Sequence, residues 1–311
     1  MAIERQDILE QEIRLGYVIS AEMKAVWKVI LDIVEEIVRI CDKHGLRYSL
    51  AGGNLLGAIR HKGFIPWDDD FDIDMEREDY DRFLAVAEKE LKYPLVLQTP
   101  LTDPERCFGF AQIRNCETTA IETVWVENKW RFNMGIGVDI FPIDGVPEEG
   151  SKEYRRLKRA YRFTQGVMNW RFSRTAHGCR SVLKHLAAMA LYGIIGGRRL
   201  FLMRERAFAR NRIRDCEMCG EISYRFEKTD AMWPSKCYES YREVPYEYLS
   251  LKMLGGYDEY LTAMYGDWRT PRQGAGFHGE TLLDAKTPYK RVLVEKYGYK
   301  KAWLKNLPGS F

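Results

Sequence analysis

Four aspartates, Asp68, Asp70, Asp72 and Asp74, take every second position of one short run. On an extended strand that parity sends all four side chains to one face, with neighbours about 6.5 to 7 Å apart. Four like charges in a row repel strongly unless something neutralises them. A hard divalent cation does so, and Mg²⁺ or Mn²⁺ prefers carboxylate oxygens and bridges protein to phosphate. The interleaved Phe71 and Ile73 predict a buried opposite face, which argues against a plain acidic edge. A fifth acid, Asp139, stands between Val138 and Ile140 on an expected strand, where a merely structural Asp would be costly to bury. It is expected to be a third ligand or a general base. The metal-ligand candidates are therefore Asp68, Asp70, Asp72 and Asp139, and the catalytic candidates Asp70, Asp72 and Asp139.

Upstream, Gly52 and Gly53 precede a helix beginning at Asn54. Small residues there let backbone N–H groups and the helix N-terminus approach a phosphate. Gly-Gly turns are common, and the weight of this one comes from the acid run that follows it. Arg60, His61 and Lys62, just after that helix, could clamp phosphate, Arg as a fork and Lys as a point charge; the plain alternative is a solvated turn. Substrate-binding candidates are Gly52, Gly53, Asn54, Arg60, Lys62 and, near the C-terminus, His278. Trp67, Trp125, Trp130, Tyr265 and Trp268 could face a quaternary ammonium, though aromatic residues more often serve a core.

The elements that must carry these residues follow from periodicity. Ser20 to Asp42 has apolar residues at three- and four-residue spacings, which predicts an amphipathic helix stopped by Gly45. Arg47 to Ala51 is strand-like, so strand, glycine turn and helix follow one another. Asp70 to Met75 alternates with a period of two and predicts a strand; Arg77 to Leu91 returns to helical spacing. Val96 to Thr99, Phe108 to Arg114 and Gly137 to Phe141 are expected as further strands, the last ended by Pro142. Ser151 to Cys219 reads as helical and basic.

At 311 residues, 46% hydrophobic and 30% charged, the chain excludes collagen, disorder, coiled coil and small disulfide scaffolds. The charge is uneven. Ser151 to Arg214 holds seventeen lysines and arginines against two glutamates, so this stretch carries +15 and the remainder −12 of a total of +3. Such asymmetry predicts two functional surfaces, with phosphate or an anionic membrane as the partner of the basic one. Solvated helix faces are the bland alternative. The apolar stretch Leu186 to Ile195, flanked by arginines, could lie in a bilayer surface or form a buried hairpin. The charged start MAIERQDILEQEIR lacks the apolar core of a secretory signal, so a cytoplasmic location, reaching to the inner membrane face, is expected, with the seven cysteines mostly free thiols. Cys216 and Cys219 form a CxxC pair too isolated to make a zinc site the leading expectation.

The run LAGGNLLGAIRHKGFIPWDDDFDIDMEREDYDRF resembles the signature of the LicD family, which includes phosphocholine transferases of bacterial surface glycans and fukutin-type ribitol-phosphate transferases. VDIFPIDGVP and REVPYEYLSLKMLGGYDEYLTAMYGDWRTP continue the resemblance, which is weakest in the basic middle. It implies an α+β, nucleotidyltransferase-like mixed sheet flanked by helices, with a helical basic insertion. The implied division is a catalytic core over 1–150, the insertion over 151–220, and a C-terminal region over 221–311 completing the catalytic domain. Carried onto matching positions, Gly53 belongs to the glycine motif, Asp70 and Asp72 to the acid pair, Asp139 to the third acid, and Asp68 to a further family acid. Asp74 is expected behind the ligands or facing solvent. His278 matches a family position where it would orient substrate or simply pack.

The implied activity is metal-dependent transfer of a substituted phosphate, phosphocholine or a polyol phosphate, from a CDP-linked donor to a hydroxyl of a cell-surface glycan or its lipid-linked precursor. Mg²⁺ or Mn²⁺ is the implied cofactor. Two rivals remain open: a nucleotidyltransferase using a nucleoside triphosphate and releasing pyrophosphate, and a nucleic-acid-binding protein acting through the basic helices. No nucleic-acid partner is expected on the first reading.

Overall fold

The computed structural model describes residues 7–103, 105–106, 109–172, 179–226, 232–270 and 281–311. A hairpin of β1 (Glu12–Arg14) and β2 (Tyr17–Ile19) leads into α1 (Ala21–His44). Ser20 caps that helix by accepting from Met23 N–H at 3.2 Å. Gly45 ends it with a left-handed φ of 60°, a conformation that lets Leu46 N–H donate back to the Cys41 carbonyl at 2.8 Å. The chain then runs through β3 (Ser49–Leu50), α2 (Gly52–His61), β4 (Asp72–Glu76) and α3 (Arg77–Glu90). Next come β5 (Leu95–Gln98), β6 (Ala111–Asn115), β7 (Thr119–Glu122), α4 (Thr123–Glu127) and the long β8 (Ile136–Val146).

Three helices follow: α5 (Lys152–Phe172), α6 (Cys179–Ile195) and α7 (Gly197–Phe208). Beyond them lie β9 (Met218–Gly220), α8 (Ile222–Arg225), β10 (Met232–Pro234), β11 (Tyr241–Tyr246), β12 (Leu249–Leu254) and α9 (Tyr257–Tyr265). The chain closes with β13 (Thr281–Asp284), α10 (Tyr289–Glu295) and α11 (Lys301–Leu304).

Among the described residues the central mixed sheet has seven strands. β8 lies parallel to β4 on one side and antiparallel to β6, then β9, on the other. β3 extends the β4 edge, β5 lies beyond β6, and β10 beyond β9. The sheet and its flanking helices are α+β, as expected. α1 packs on β6 and β8, and its Trp27, Ile30, Val34 and Ile37 are fully buried in one core with Ile73, Val138 and Ile140. Each such side chain contributes about 1.5–3 kcal/mol on leaving water.

Two expectations about strands are corrected. Pro142 does not end the third acid's strand, which continues to Val146. Pro142 falls where the outer partner of β8 changes, because β6 pairs through Ile140 and β9 begins at Asp144. A residue lacking an N–H is tolerated at such a gap in the ladder. The acid strand begins at Asp72 rather than Asp70, so Asp68 and Asp70 lie in the preceding loop and the shared parity does not place them.

α5 and α7, on which α6 packs, join the sheet through a small apolar cluster of Val146, Leu157, Phe208, Ile222 and Phe226. A buried ion pair reinforces it. Arg77, at the start of α3, donates to both Asp144 oxygens at 2.8 and 2.6 Å, and to Glu205 of α7 at 2.5 Å. Cys41, Cys116, Cys216, Cys219 and Cys237 are unpaired, with Cys219 buried on β9 and Cys237 buried as well.

Candidate active site

β4 and β8 run in parallel with Asp72 directly beside Asp139. Residues in register on neighbouring strands project to the same face, so two acids distant in the chain become neighbours. Asp139 N–H also donates to the Phe71 carbonyl at 2.8 Å, fastening the loop end to the strand. Both acids line a cleft of about 690 Å³, together with Asp68, Asp69, Asp70, Gly52 and Gly53.

The loop before β4 is shaped from beneath. Asn54 is almost wholly buried at 1% exposure. Its Oδ1 accepts from Asp72 N–H at 2.6 Å, while Nδ2 donates to the Asp70 carbonyl at 3.2 Å and to Tyr246 Oη at 3.1 Å. Trp27 Nε1 donates to the Asp68 carbonyl at 2.9 Å. These bonds fold the loop so that ligand oxygens of Asp68, Asp69 and Asp70 lie within 4.8 Å of one another. Among the described residues the tightest carboxylate group is thus Asp68 to Asp70, and Asp69 is a member that alternation could not have flagged.

The glycine turn abuts these acids. Gly52 has φ +48°, and a Cβ there would stand 3.3 Å from Asp72 Oδ2; at Gly53 a Cβ would stand 2.9 Å from Asp68 Oδ2. Glycine at both positions lets α2 start against the carboxylates. Gly52 N–H donates to Tyr260 Oη at 3.0 Å, which leaves Gly53 as the first-turn amide of this pair outside that bond.

On the far side, Gln112 of β6 is in register with Asp139 and donates to its Oδ1 through Nε2. Gln112 Oε1 accepts from Arg106 Nε at 2.8 Å and from Arg114 Nη2 at 2.9 Å. With the oxygen held by two guanidinium groups, the amide nitrogen must point at Asp139. Arg114 is buried, bonded to Gln98 Oε1 at 2.7 Å and to the Gly135 carbonyl. Sequence reading missed Gln112, Arg106, Arg114 and the buried Glu221, which also line the cleft.

Burial, and then the charges of Asp70, Asp139, Glu221 and Asp68, push the Asp72 carboxyl well above the usual carboxylate range. The site is short of positive charge, and its donors are hard carboxylate oxygens. That set fits Mg²⁺ or Mn²⁺.

Residues 45–172 match the family described as LicD/FKTN/FKRP, nucleotidyltransferase domain. The chain is 30% identical over 254 residues to the lipopolysaccharide cholinephosphotransferase LicD of Haemophilus influenzae, covering 77% of this chain and 88% of that protein. The chain belongs to the LicD family. A shorter match joins this LicD-family enzyme to the human ribitol 5-phosphate transferase FKRP, 40% identical over 52 residues, or 17% of this chain and 10% of that one. The protein is a phosphotransferase of the LicD type.

The expected site residues of this LicD-type enzyme divide clearly. Asp68, Asp70, Asp72, Asp139, Gly52, Gly53 and Arg60 line one cleft. Asn54 does not reach it as a substrate ligand; buried, it holds the backbone of Asp70 and Asp72 instead. Asp74 faces no solvent: it is buried, accepting from Tyr238 Oη at 2.9 Å, and burial beside Glu221 raises its carboxyl well above the usual range. Lys62 ends α2 with φ 57°, is exposed, and is not among the residues that line the cleft. His61 is half-buried, and burial with Arg60 and Arg14 nearby lowers it to about 4, leaving it neutral at neutral pH. Trp130 packs with Phe132 in a second core. His278 lies outside the described residues.

Arg60 is the better-placed cation. Its Nη1 donates to the Trp268 carbonyl at 3.2 Å, while its buried Nε has no acceptor.

Proposed function

We propose that this LicD-type phosphotransferase moves a substituted phosphate from a CDP-linked donor to a hydroxyl of a glycan or a lipid-linked glycan precursor. The observation that carries the reading is the parallel register of Asp72 with Asp139, with the Gly52-Gly53 turn packed against the same carboxylates. In the reaction the acceptor oxygen forms a bond to the distal phosphorus, the bond from that phosphorus to the bridging oxygen breaks, and CMP leaves. The acceptor hydroxyl loses its proton.

Asp70, Asp72 and Asp139, with Asp68 beside them, would hold Mg²⁺ or Mn²⁺, which when bound neutralises diphosphate charge and aligns the oxygens for in-line displacement. Asp139 is the proposed proton acceptor. Its Oδ1 accepts from Gln112 Nε2, which fixes the carboxylate's orientation. Arg60, which lines the cleft, offers its guanidinium to a phosphate oxygen, and the Gly53 amide offers a backbone donor.

Phosphocholine is the proposed headgroup. A relative named as a cholinephosphotransferase matches most of the chain, and the cleft combines carboxylates with Trp67 and Tyr265, the two kinds of surface a quaternary ammonium accepts. Trp125 is a poorer candidate than its position suggests, since Arg106 and Arg114 each stand 5.7 Å from its ring centroid.

The test is the identity of the released nucleotide. Incubated with Mg²⁺ and a glycan acceptor, the purified protein should form CMP from CDP-choline, and less from CDP-ribitol or CDP-glycerol. Pyrophosphate released from CTP, with no CMP from any CDP-linked donor, would favour a nucleotidyltransferase instead.

A further inference from the structure

α6 presents its apolar side outward. Leu183, Leu186, Ala187, Ala190, Leu191 and Ile194 recur at three- and four-residue spacings and form one stripe, and all are exposed, Leu183 by 67% and Ile194 by 77%. The opposite side faces the protein. Ala188 is buried there, and Tyr192 and Ile195 pack against a small core of Val167, Met168 and Leu200. A soluble helix shows the reverse arrangement, with its apolar stripe inward.

The charge around this stripe is mostly of one sign, the exposed Glu153 at the start of α5 standing against many lysines and arginines. α6 carries no acid. α7, which follows after a single glycine, begins with exposed Arg198 and Arg199 and carries exposed Met203 (49%) and Arg206. On α5, Lys152, Arg155, Arg156, Arg159 and Arg162 are all exposed. The acid of α7, Glu205, is bonded to Arg77 and offers nothing to neutralise them. An apolar face bordered by arginines is complementary to a surface that is apolar inside and anionic outside.

We infer that α6 and the start of α7 form a docking surface for an anionic lipid bilayer, with the α6 stripe in the acyl boundary and Arg198 and Arg199 at the lipid phosphates. Length favours lying in the plane over crossing: α6 has 17 residues, or roughly 25 Å at the helical rise. Among the described residues no single helix is long and apolar enough to span a membrane, and α6 and α7 together bend by 86°. This surface would bring the enzyme to acceptors held in lipid, but the inference stands on the helices alone and not on the reaction.

The test is flotation of the full-length protein with vesicles of phosphatidylcholine alone and with vesicles containing phosphatidylglycerol. Binding should appear with phosphatidylglycerol and weaken with salt. The double variant Arg198→Glu, Arg199→Glu should weaken it by roughly tenfold or more, and so should Leu186→Glu, Ile194→Glu. All four positions are exposed, so circular dichroism and melting temperature should match the parent protein. The inference is overturned if the parent protein ignores anionic vesicles, or if binding survives both double variants. It is equally overturned if light scattering finds a stable homo-oligomer that Leu186→Glu, Ile194→Glu dissociates, because the stripe would then be covered by a second copy. The readout is lipid binding, so a wrong donor assignment leaves it untouched.

Discussion

The acid cleft and the three basic helices use charge in opposite ways. In the cleft, like charges are forced together by burial: Asn54, Trp27 and the β4–β8 register hold carboxylates close although Asp72 is pushed towards its neutral form. Along α5 to α7, like charges stand on exposed faces where water and salt screen them, and a thin core of Val146, Leu157, Phe208, Ile222 and Phe226 suffices. Charge under strain inside a rigid scaffold serves chemistry, because the scaffold supplies the free energy that holds it. Screened charge on a surface serves recognition and constrains the fold little. Arg77 joins the two regions, pairing with Asp144 on one side and Glu205 on the other.

If that contrast is right, removing one charge should have very different consequences in the two places. The largest effect is expected for Asp72→Asn. Turnover should fall on the order of 10²–10³-fold or more, measured as CMP release, while the fold is kept. The same variant sharpens the electrostatic argument through pH. Because the Asp72 carboxyl is raised in the folded protein, the native state binds more protons than the unfolded one above the unfolded pKa of about 4. Metal-free protein should therefore lose stability as pH rises from there. Asp72→Asn should flatten this loss, and Mg²⁺ should offset it in the parent protein. Denaturant melts across pH would show both; equal slopes in variant and parent would break the argument.

Arg77→Met should come next. It leaves Asp144 buried without its cation, which costs about 3–5 kcal/mol when one partner of a buried pair is removed. Chemical denaturation should show the loss, with α7 becoming more open to protease than the sheet. Equal protection of both regions would mean that the apolar cluster alone holds the helices.

The smallest effect is expected for Arg156→Ala, Arg159→Ala on α5. Melting temperature and turnover on a soluble acceptor should stay at the parent level. A clear drop in either would show that the basic helices shape the catalytic body and would erase the contrast.

Local pattern was legible wherever it reported on one element. The spacing of Trp27, Ile30, Val34 and Ile37 predicts α1, and Gly45 its end, because helical burial repeats every three to four residues and glycine alone enters a left-handed cap at no steric cost. The acid run and the glycine turn were visible as chemistry for the same reason: carboxylates crowded beside small residues need an external charge. Alternation misled at Asp68 and Asp70, since the pleat begins only at Asp72; of the two places left open for Asp74, burial under Tyr238 excludes the solvent-facing one.

Residue types and spacing by themselves marked Asp68, Asp70, Asp72 and Asp139 as the candidate acids and showed that the middle of the chain is basic and helical. Tertiary structure alone decided that Asp139 pairs with Asp72, that Asn54 braces the loop from below, and that Gln112 is turned by two arginines. It also decided that the apolar stripe of α6 faces outward. Those choices rest on strand pairing and on which face of an element meets a neighbour. Both depend on contacts between distant parts of the chain, which periodicity within one segment does not encode.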